Sequence, residues 1–156
     1  MKTKNPSYPA RVKEIFQHAP FIHDLGVNLE GVSPGFCKTS LDLLPKHFQQ
    51  DQLVHAGVQA SLADHTAGGA AATLIGEDEV VLTVEFKINL LRPALGEQLR
   101  CQSRVLKAGN TLIIAESEVL ALNAGHEILV SKAMVTLALK KKRENPLHPL
   151  NPPGRE

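Results

Sequence analysis

Residues 56–75 read AGVQASLADHTAGGAAATLI, and this stretch decides the fold. Alanine and glycine dominate it, so it predicts a long helix that carries little side-chain bulk. Each of its glycines destabilises the helix by about 1 kcal/mol relative to alanine, and close packing against another element would offset that cost. We therefore expect this helix to be the buried centre of the fold, with a strongly curved sheet wrapped around it.

Strand patterns lie on both sides of the helix. Residues 80–90 alternate most clearly between two faces. One face is apolar and the other polar: Leu82, Val84, Phe86, Ile88 and Leu90 against Thr83, Glu85, Lys87 and Asn89. Further strands are predicted at 27–32, 36–44, 98–106, 111–122 and 128–139, and a short amphipathic helix at 8–19 is stopped by Pro20. The order β-β-α-β-β-β-β predicts an α+β fold, in which a curved antiparallel sheet of about six strands surrounds one long central helix and a short N-terminal helix precedes it.

The composition favours one globular domain. The chain has 156 residues, of which 43% are hydrophobic and 21% charged, so it can bury a single core. We assign residues 1–139 to that domain and residues 140–156 to a tail, basic and then rich in proline, that we expect to be flexible. The formal net charge of +1 and the aromatic content of 4% argue against a nucleic-acid partner.

Targeting signals and cysteines indicate the setting of the protein. The first residues have no apolar core of the kind found in a signal peptide. Residues 56–75 contain Gln59, Asp64 and His65, which makes them a poor membrane span. Cys37 and Cys101 are too few for a disulfide framework and lie in predicted strands, where we expect them to be buried. We predict a cytoplasmic protein with no membrane partner.

The central helix also carries the candidate catalytic groups. Asp64 stands among small and apolar residues, and burying an unpaired carboxylate there would be costly, which favours a functional role. In the first turn, the N–H groups of Gly57 and of Ala56 or Val58 have no partner within the helix. They face outward at the positive end of the helix dipole, where a developing oxyanion would be stabilised. His55, just before the helix, either acts on the substrate or serves as a capping or packing residue.

Other chemistries have no support in the sequence. There is no G-x-S-x-G elbow, no Walker loop and no G-x-G-x-x-G motif. His47, His55, Asp64 and His65 lack the i, i+4 spacing of a helical zinc site, so we predict no metal and no other cofactor. His65 follows Asp64 but lies about 100° further around the helix, and we expect it to be structural.

Two motifs, one at the start of the helix and one in the strand after it, are more specific. The first contains Gln49-Gln50, Val54-His55-Ala56-Gly57-Val58 and Leu62-Ala63-Asp64; the second is TVEFKINLLRPA at residues 83–94, followed by Gly96-Glu97. Together they resemble the hotdog-fold thioesterases of the PaaI-like acyl-CoA group, and the match covers about residues 8–139. This resemblance implies the hotdog fold and the hydrolysis of an acyl-CoA substrate to a free acid and coenzyme A.

The resemblance also implies roles for individual residues. Asp64 corresponds to the family's nucleophile or general base, and the amide of Ala56 or Gly57 to the group that polarises the thioester carbonyl. The Thr83 hydroxyl would hold the attacking water, and Gln49 would help to place the reacting groups. The expected substrate contacts are Gln50, Ala56 and, for the coenzyme A phosphates, Arg92 and Arg104, with Arg100 and Lys107 as further candidates. Gln52 departs from the family pattern, because relatives usually have glycine there.

A distance argument predicts that each site is shared by two subunits. Seven residues separate Gly57 from Asp64, which is about 10.5 Å along a helix axis. Proton transfer or attack needs contact of roughly 3 Å, so one chain cannot bring both groups to one carbonyl. A second helix packed antiparallel beside the first removes the mismatch. We therefore expect a homodimer with two shared active sites, either alone or within a dimer of dimers.

Two alternative functions stay open at this point. One is a hotdog-fold dehydratase, although those enzymes have a glutamate in the helix where this chain has Ser61. The other is a non-catalytic protein that binds acyl-CoA or another small ligand, against which a buried Asp64 argues. The sequence does not distinguish aryl, hydroxylated aryl and medium-chain acyl groups.

Overall fold

The computed structural model describes residues 1–142 of the chain. This range contains α1 (Tyr8–Gln17), α2 (Pro20–Leu25), a short 3-10 turn (Pro45–His47) and the central helix α3 (Ala56–Ala72). The strands are β1 (Val27–Ser33), β2 (Phe36–Asp42), β3 (Glu79–Leu90), β4 (Gln98–Ala108), β5 (Leu112–Asn123) and β6 (His126–Lys141). The predicted β-β-α-β-β-β-β order is confirmed.

All six strands form one antiparallel sheet in the order β1-β2-β4-β5-β6-β3. Helix α3 contacts every strand of this sheet, so the sheet curves around the helix as the small residues of α3 predict. The two edges are β1 and β3. Strand β3 directly follows α3 in sequence and lies at an edge of the sheet. Its outer side, which no other strand within residues 1–142 pairs with, therefore lies next to the central helix.

Close contacts fix α3 against the sheet. A Cβ atom on Gly69 would lie 2.8 Å from Cys37 Sγ and 3.0 Å from Phe16 Cε2, so only glycine fits there. The Ser117 hydroxyl on β5 donates to the carbonyl oxygen of Ala63 at 2.8 Å. This bond anchors the helix one residue before Asp64.

Both cysteines are buried free thiols, as predicted. Burial raises the pKa of Cys37 and of Cys101 to about 12. Neither is therefore a thiolate at neutral pH, and neither can act as a nucleophile.

A β-bulge in β3 corrects the predicted alternation of that strand. The register with β6 shifts between Thr83 and Glu85, so Val84 is an extra residue without a partner. Residues opposite each other in an antiparallel pair share a face, and one face of β6 is formed by its residues 131, 133, 135, 137 and 139. The β3 residues paired with that face are Val81 and Thr83 before the bulge, and Phe86, Ile88 and Leu90 after it. Thr83 thus lies on the same face as the apolar row and not on the opposite one.

Three smaller features differ from the sequence predictions. Pro20 ends the first helical segment, but it also begins α2, since proline is well tolerated in the first turn of a helix. Helix α3 ends at Ala72, three residues earlier than expected. Strand β6 extends to Lys141, past the predicted domain end at residue 139. Residues 143–156 of the predicted tail lie outside the described range.

Candidate active site

The start of α3 is capped by the histidine that precedes it. His55 has the extended backbone of an N-cap residue (φ −57°, ψ 138°), and its Nδ1 accepts a hydrogen bond from the Gly57 N–H at 2.9 Å. A Cβ atom on Gly57 would lie 3.0 Å from Nδ1, so the glycine leaves room for the ring. The contact corresponds to the capping alternative for His55, and it occupies the Gly57 amide.

The Ala56 amide is the other candidate donor at this helix end. None of the hydrogen bonds found within residues 1–142 uses it, and Ala56 is exposed. As the first residue of α3, Ala56 has an N–H with no partner inside the helix, at the positive end of the dipole. The geometry therefore favours Ala56 over Gly57 as the donor to a substrate oxygen.

A pocket of about 520 Å³ lies in front of this helix end, and we call it the amide pocket. Five of the predicted site residues line it: Gln49, Gln50, His55, Ala56 and Arg92. Arg92 donates from Nη1 to the carbonyl oxygen of Leu129 at 2.9 Å, which holds its guanidinium at the wall. The pocket therefore has mixed polar and apolar walls and offers hydrogen-bond donors.

The loop that carries Gln49 is held by its own turn and by a buried histidine. Gln52 has a φ of +63°, a left-handed conformation in which glycine is usually favoured. His47 is buried; its Nδ1 accepts from the Leu44 N–H at 3.0 Å, and its Nε2 donates to the Leu25 carbonyl oxygen at 2.8 Å. The His47 carbonyl oxygen accepts from the His55 N–H at 2.9 Å. This chain of contacts positions His55, and so the start of α3.

Asp64 lies two turns further along α3 and is half-buried. The Thr83 hydroxyl donates to its Oδ1 at 2.7 Å. The bulge at Val84 keeps Thr83 on the face of β3 that it shares with the apolar row. The structure thus brings together Asp64 and Thr83, two predicted residues that do not line the amide pocket.

This pair lies at a second cavity, of about 530 Å³, which we call the carboxylate cavity. Its walls include His65, Gly68, Ala72, Ile15, Ile75 and Val81. The His65 ring packs edge-on against Phe16, with ring centroids 4.5 Å apart. Burial lowers the pKa of His65 from its ordinary value of 6.5, although the adjacent Asp64 carboxylate opposes this, so the ring is neutral at physiological pH. Sequence reasoning gave no role to Gly68.

The two cavities share no lining residue. Ala56 and Asp64 are eight residues apart on a continuous helix, which is about 12 Å along its axis. A single chain therefore separates its free amide from its carboxylate. Each cavity holds one half of the predicted site.

Arg104 lies apart from the other predicted site residues. It lies on β4 opposite Glu116 of β5, and its Nε is 3.4 Å from a carboxylate oxygen of that residue. Buried and exposed residues alternate along β4, and Arg104 is on the exposed face, away from α3. Arg100 lies on the same face and pairs with Glu127 at 2.6 Å. These arginines belong to the outer surface of the sheet and line neither cavity.

Comparison with known proteins places this architecture in a family. A family model described as the thioesterase superfamily matches residues 51–125. The medium/long-chain acyl-CoA thioesterase YigI of Escherichia coli is 30% identical over 141 residues, covering 80% of this chain and 89% of YigI. The chain belongs to the thioesterase superfamily.

Solved structures of this superfamily have the same fold. A thioesterase family protein from Silicibacter pomeroyi superposes with a TM-score of 0.85 at 32% identity, covering 86% of this chain and 99% of that one.

A second relative by sequence, the 1,4-dihydroxy-2-naphthoyl-CoA hydrolase of Listeria monocytogenes, is 27% identical over 120 residues, covering 77% of this chain and 95% of the hydrolase. The predicted hotdog fold and thioester hydrolase activity are confirmed, whereas membership of the PaaI-like group stays a prediction.

Two further features of residues 1–142 concern membranes and metals. No helix there is long and apolar enough to cross a membrane. Within the same residues, no three or more His, Cys, Asp or Glu side chains are grouped so that they could hold a metal ion.

Proposed function

We propose that this thioesterase hydrolyses acyl-CoA thioesters at two equal sites, each formed by the amide pocket of one subunit and the carboxylate cavity of its partner. The observation that carries the proposal is the separation of the Ala56 amide from Asp64 by about 12 Å on one helix. Thioester hydrolysis needs an oxyanion donor and a base at the same carbonyl. Two antiparallel copies of α3 satisfy this requirement by two-fold symmetry.

The edge strand β3 supports such a dimer. Four of its large apolar side chains leave 41–59% of their surface exposed in the single chain: Leu82, Val84, Phe86 and Leu90. A long edge strand with exposed apolar residues readily pairs with another strand. Pairing of β3 with β3 of a second copy would bring the two α3 helices side by side and cover Phe86 and Leu90, which lie on the same face as Thr83. The further assembly of two dimers into a tetramer stays a prediction.

The chemistry at each site follows from the contacts of its two halves. The Ala56 N–H donates to the thioester carbonyl oxygen and stabilises the negative charge that develops there. Asp64 takes a proton from a water molecule while that water attacks the carbonyl carbon. The C–S bond then breaks, and the same proton passes from Asp64 to the departing sulfur of coenzyme A. The products are a free acid and free coenzyme A.

Thr83 favours the general-base role of Asp64 over the nucleophilic one. Its hydroxyl donates to Oδ1, which makes that oxygen less nucleophilic, and its own oxygen can accept a hydrogen bond from the attacking water. The hydroxyl would thereby hold the water between itself and the carboxylate. In the amide pocket, Gln49, Gln50 and Arg92 would contact the coenzyme A portion of the substrate.

The substrate class rests on the names of the relatives. YigI is named for medium- and long-chain acyl-CoA, and the Listeria protein for an aromatic acyl-CoA, so coenzyme A is the part that the two substrates have in common. The dehydratase alternative has less support, because the Ser61 hydroxyl, at the position of the missing glutamate, donates to the Gly57 carbonyl oxygen at 2.8 Å. The cytoplasmic setting stays a prediction.

Release of free thiol from a panel of acyl-CoA esters tests the activity. We expect turnover of at least one acyl class, which a dehydratase or a passive binding protein would not give.

Subunit mixing tests the shared site. Asp64→Asn removes the base. Ala56→Pro removes the backbone N–H, and it places proline at the first position of the helix, where proline is well tolerated. The extended backbone of His55 also suits a following proline. Each variant alone should be nearly inactive, and an equal mixture should regain about one quarter of the wild-type sites after random pairing. Absence of recovery after verified subunit exchange would mean that each chain carries a complete site.

A further inference from the structure

Two adjacent glycines in α3 have different surroundings. Gly69 packs against Cys37 and Phe16 so closely that a Cβ atom there would collide with both. A Cβ atom on Gly68 would have no heavy atom within 4 Å. Neither glycine has a positive φ, so neither is required by the backbone conformation. Packing explains Gly69, but neither packing within the chain nor conformation explains Gly68, where alanine would stabilise the isolated helix.

The open space beside Gly68 is the carboxylate cavity, which Gly68 lines. Gly68 follows Asp64 by four residues, so it lies on the same face of α3, about 6 Å further along the axis. Ala72 lines the cavity one turn beyond, at about 12 Å. The cavity therefore extends along the helix away from the reacting carboxylate, and Gly68 lies half-way along it.

The walls of the cavity are largely apolar and suit an extended apolar group, and Glu14, His18 and Lys142 add polar side chains to the lining. Ile15 of α1, Ile75, Val81 of β3 and Leu137 of β6 line the cavity. Arg11 also lines it, and its guanidinium donates to the carbonyl oxygens of Gly76 and Glu79, so that it ties α1 to the connection between α3 and β3. A groove of this length, bounded by a fixed arginine, fits a straight chain better than a compact ring.

We propose that Gly68 determines acyl-chain specificity: its missing side chain admits a medium-length unbranched acyl chain past the first helical turn beyond Asp64. This inference rests on the proposed function, because it assumes that the thioester carbonyl lies at Asp64. Short acyl groups end before they reach Gly68. Longer chains must pass it, and a side chain at this position would block them.

The test compares Gly68→Ala and Gly68→Leu with the wild type on butanoyl-, octanoyl-, decanoyl- and benzoyl-CoA. For Gly68→Leu we expect the ratio of kcat/KM for decanoyl-CoA to that for butanoyl-CoA to fall at least about tenfold, because the pocket then loses the space for several methylenes. Gly68→Ala should give a smaller fall and a higher Tm. Gly31→Leu on β1 is the matched control: a Cβ atom there also has no heavy atom within 4 Å, but Gly31 lines neither cavity, so the ratio should be unchanged.

Two kinetic results would overturn the inference. One is an unchanged ratio in folded Gly68→Leu, and the other is an equal loss on all four substrates, which would indicate a disturbed Asp64. A selective loss of benzoyl-CoA turnover would instead assign the cavity to a ring, and would contradict the proposed chain. Titration of decanoate and butanoate into the wild type and Gly68→Leu needs no turnover. Weaker decanoate binding by the variant supports the inference even if no acyl-CoA is hydrolysed, and equal binding contradicts it.

Discussion

The amide pocket and the carboxylate cavity have similar volumes, about 520 and 530 Å³, but different chemical character. The amide pocket has mixed polar and apolar walls and an N–H that no group within residues 1–142 accepts from. The carboxylate cavity has mostly apolar walls and a carboxylate that already has a hydroxyl partner. In the proposed mechanism the amide pocket stabilises the negative charge and the carboxylate cavity supplies the base. Under that mechanism each pocket needs the other, from a second subunit, to complete an active site.

The largest expected effect is the loss of the base in the carboxylate cavity. Asp64→Asn cannot take a proton from water, but its amide oxygen can still accept from Thr83, so the fold should be kept. We expect kcat to fall by about 10²- to 10⁴-fold. The control is Asp24→Asn, which changes an exposed carboxylate on α2 and should leave kcat unaltered. Near-normal turnover by folded Asp64→Asn would remove the base from this cavity.

Ala56→Pro tests the amide pocket in the same way. Loss of one preorganised oxyanion donor typically lowers kcat by about 10²- to 10³-fold, and we expect the lower end of this range. Ala56→Ser keeps the N–H and adds little bulk, so it serves as the matched control. Circular dichroism should report an unchanged helix content in both. If Ala56→Pro retains full activity, the donor is a different group, and the Gly57 amide, released from His55, becomes the candidate.

Thr83 should have a smaller effect, because it acts through Asp64 and the water. We expect Thr83→Ala to lower kcat by about tenfold, which is the value of one hydrogen bond to a charged group. Tm should change little, since Thr83 is exposed. Thr83→Ser keeps the hydroxyl and should restore most of the activity. Equal kcat values for the alanine variant and the wild type would exclude Thr83 from the mechanism.

Substitution of Arg92, in the amide pocket, and of Arg104, on the outer surface of the sheet, should have different effects on KM. Arg92→Ala should raise KM for acyl-CoA by at most about fivefold, since exposed charge contacts contribute up to about 1 kcal/mol. The effect should shrink at high salt. Arg104→Ala should leave KM unaltered, because Arg104 faces Glu116 on the surface away from both cavities. A higher KM in Arg104→Ala would mean that coenzyme A extends over that surface.

His65 should affect the stability of the protein and not its catalytic activity. Burial lowers its pKa below 6.5 in the folded protein, so between those two values the unfolded chain binds a proton that the folded chain does not. The free energy of unfolding should therefore decrease as the pH falls below about 6.5. His65→Leu should reduce this slope in urea titrations at fixed protein concentration. An identical slope would assign the acid sensitivity to other groups.

Most of the fold follows from local patterns in the sequence. Alternation and turn residues are strong signals, and the small residues of α3 predict the close wrapping that its contacts with all six strands confirm. The bulge at Val84 could not be predicted, because a regular alternation over residues 80–90 describes a strand without a register shift equally well. The short helix α2 does not follow from the sequence pattern, because Pro20 can both end one helix and begin the next.

The candidate site was predictable where it depends on one helix and unpredictable where it depends on strand direction. The distance between Gly57 and Asp64 is a property of any α-helix, so the separation of the two halves follows from the sequence. Which first-turn amide is available depends on the rotamer of His55, and only the structure provides it. The surface on which Arg104 lies could not be predicted, because a position on a strand does not reveal which face of the sheet meets solvent.

The bulge at Val84 has a consequence for how activity depends on concentration. It changes the odd–even parity of β3: odd-numbered residues share the Thr83 face before it, and even-numbered residues share that face after it. The strand can therefore present the hydroxyl that holds Asp64 and, a few residues later, the exposed apolar row that a second subunit would cover. Assembly and catalysis then depend on one short stretch of one strand. We expect specific activity to fall when the protein is diluted below the dissociation constant of the dimer, because the separated subunits would lack a complete site.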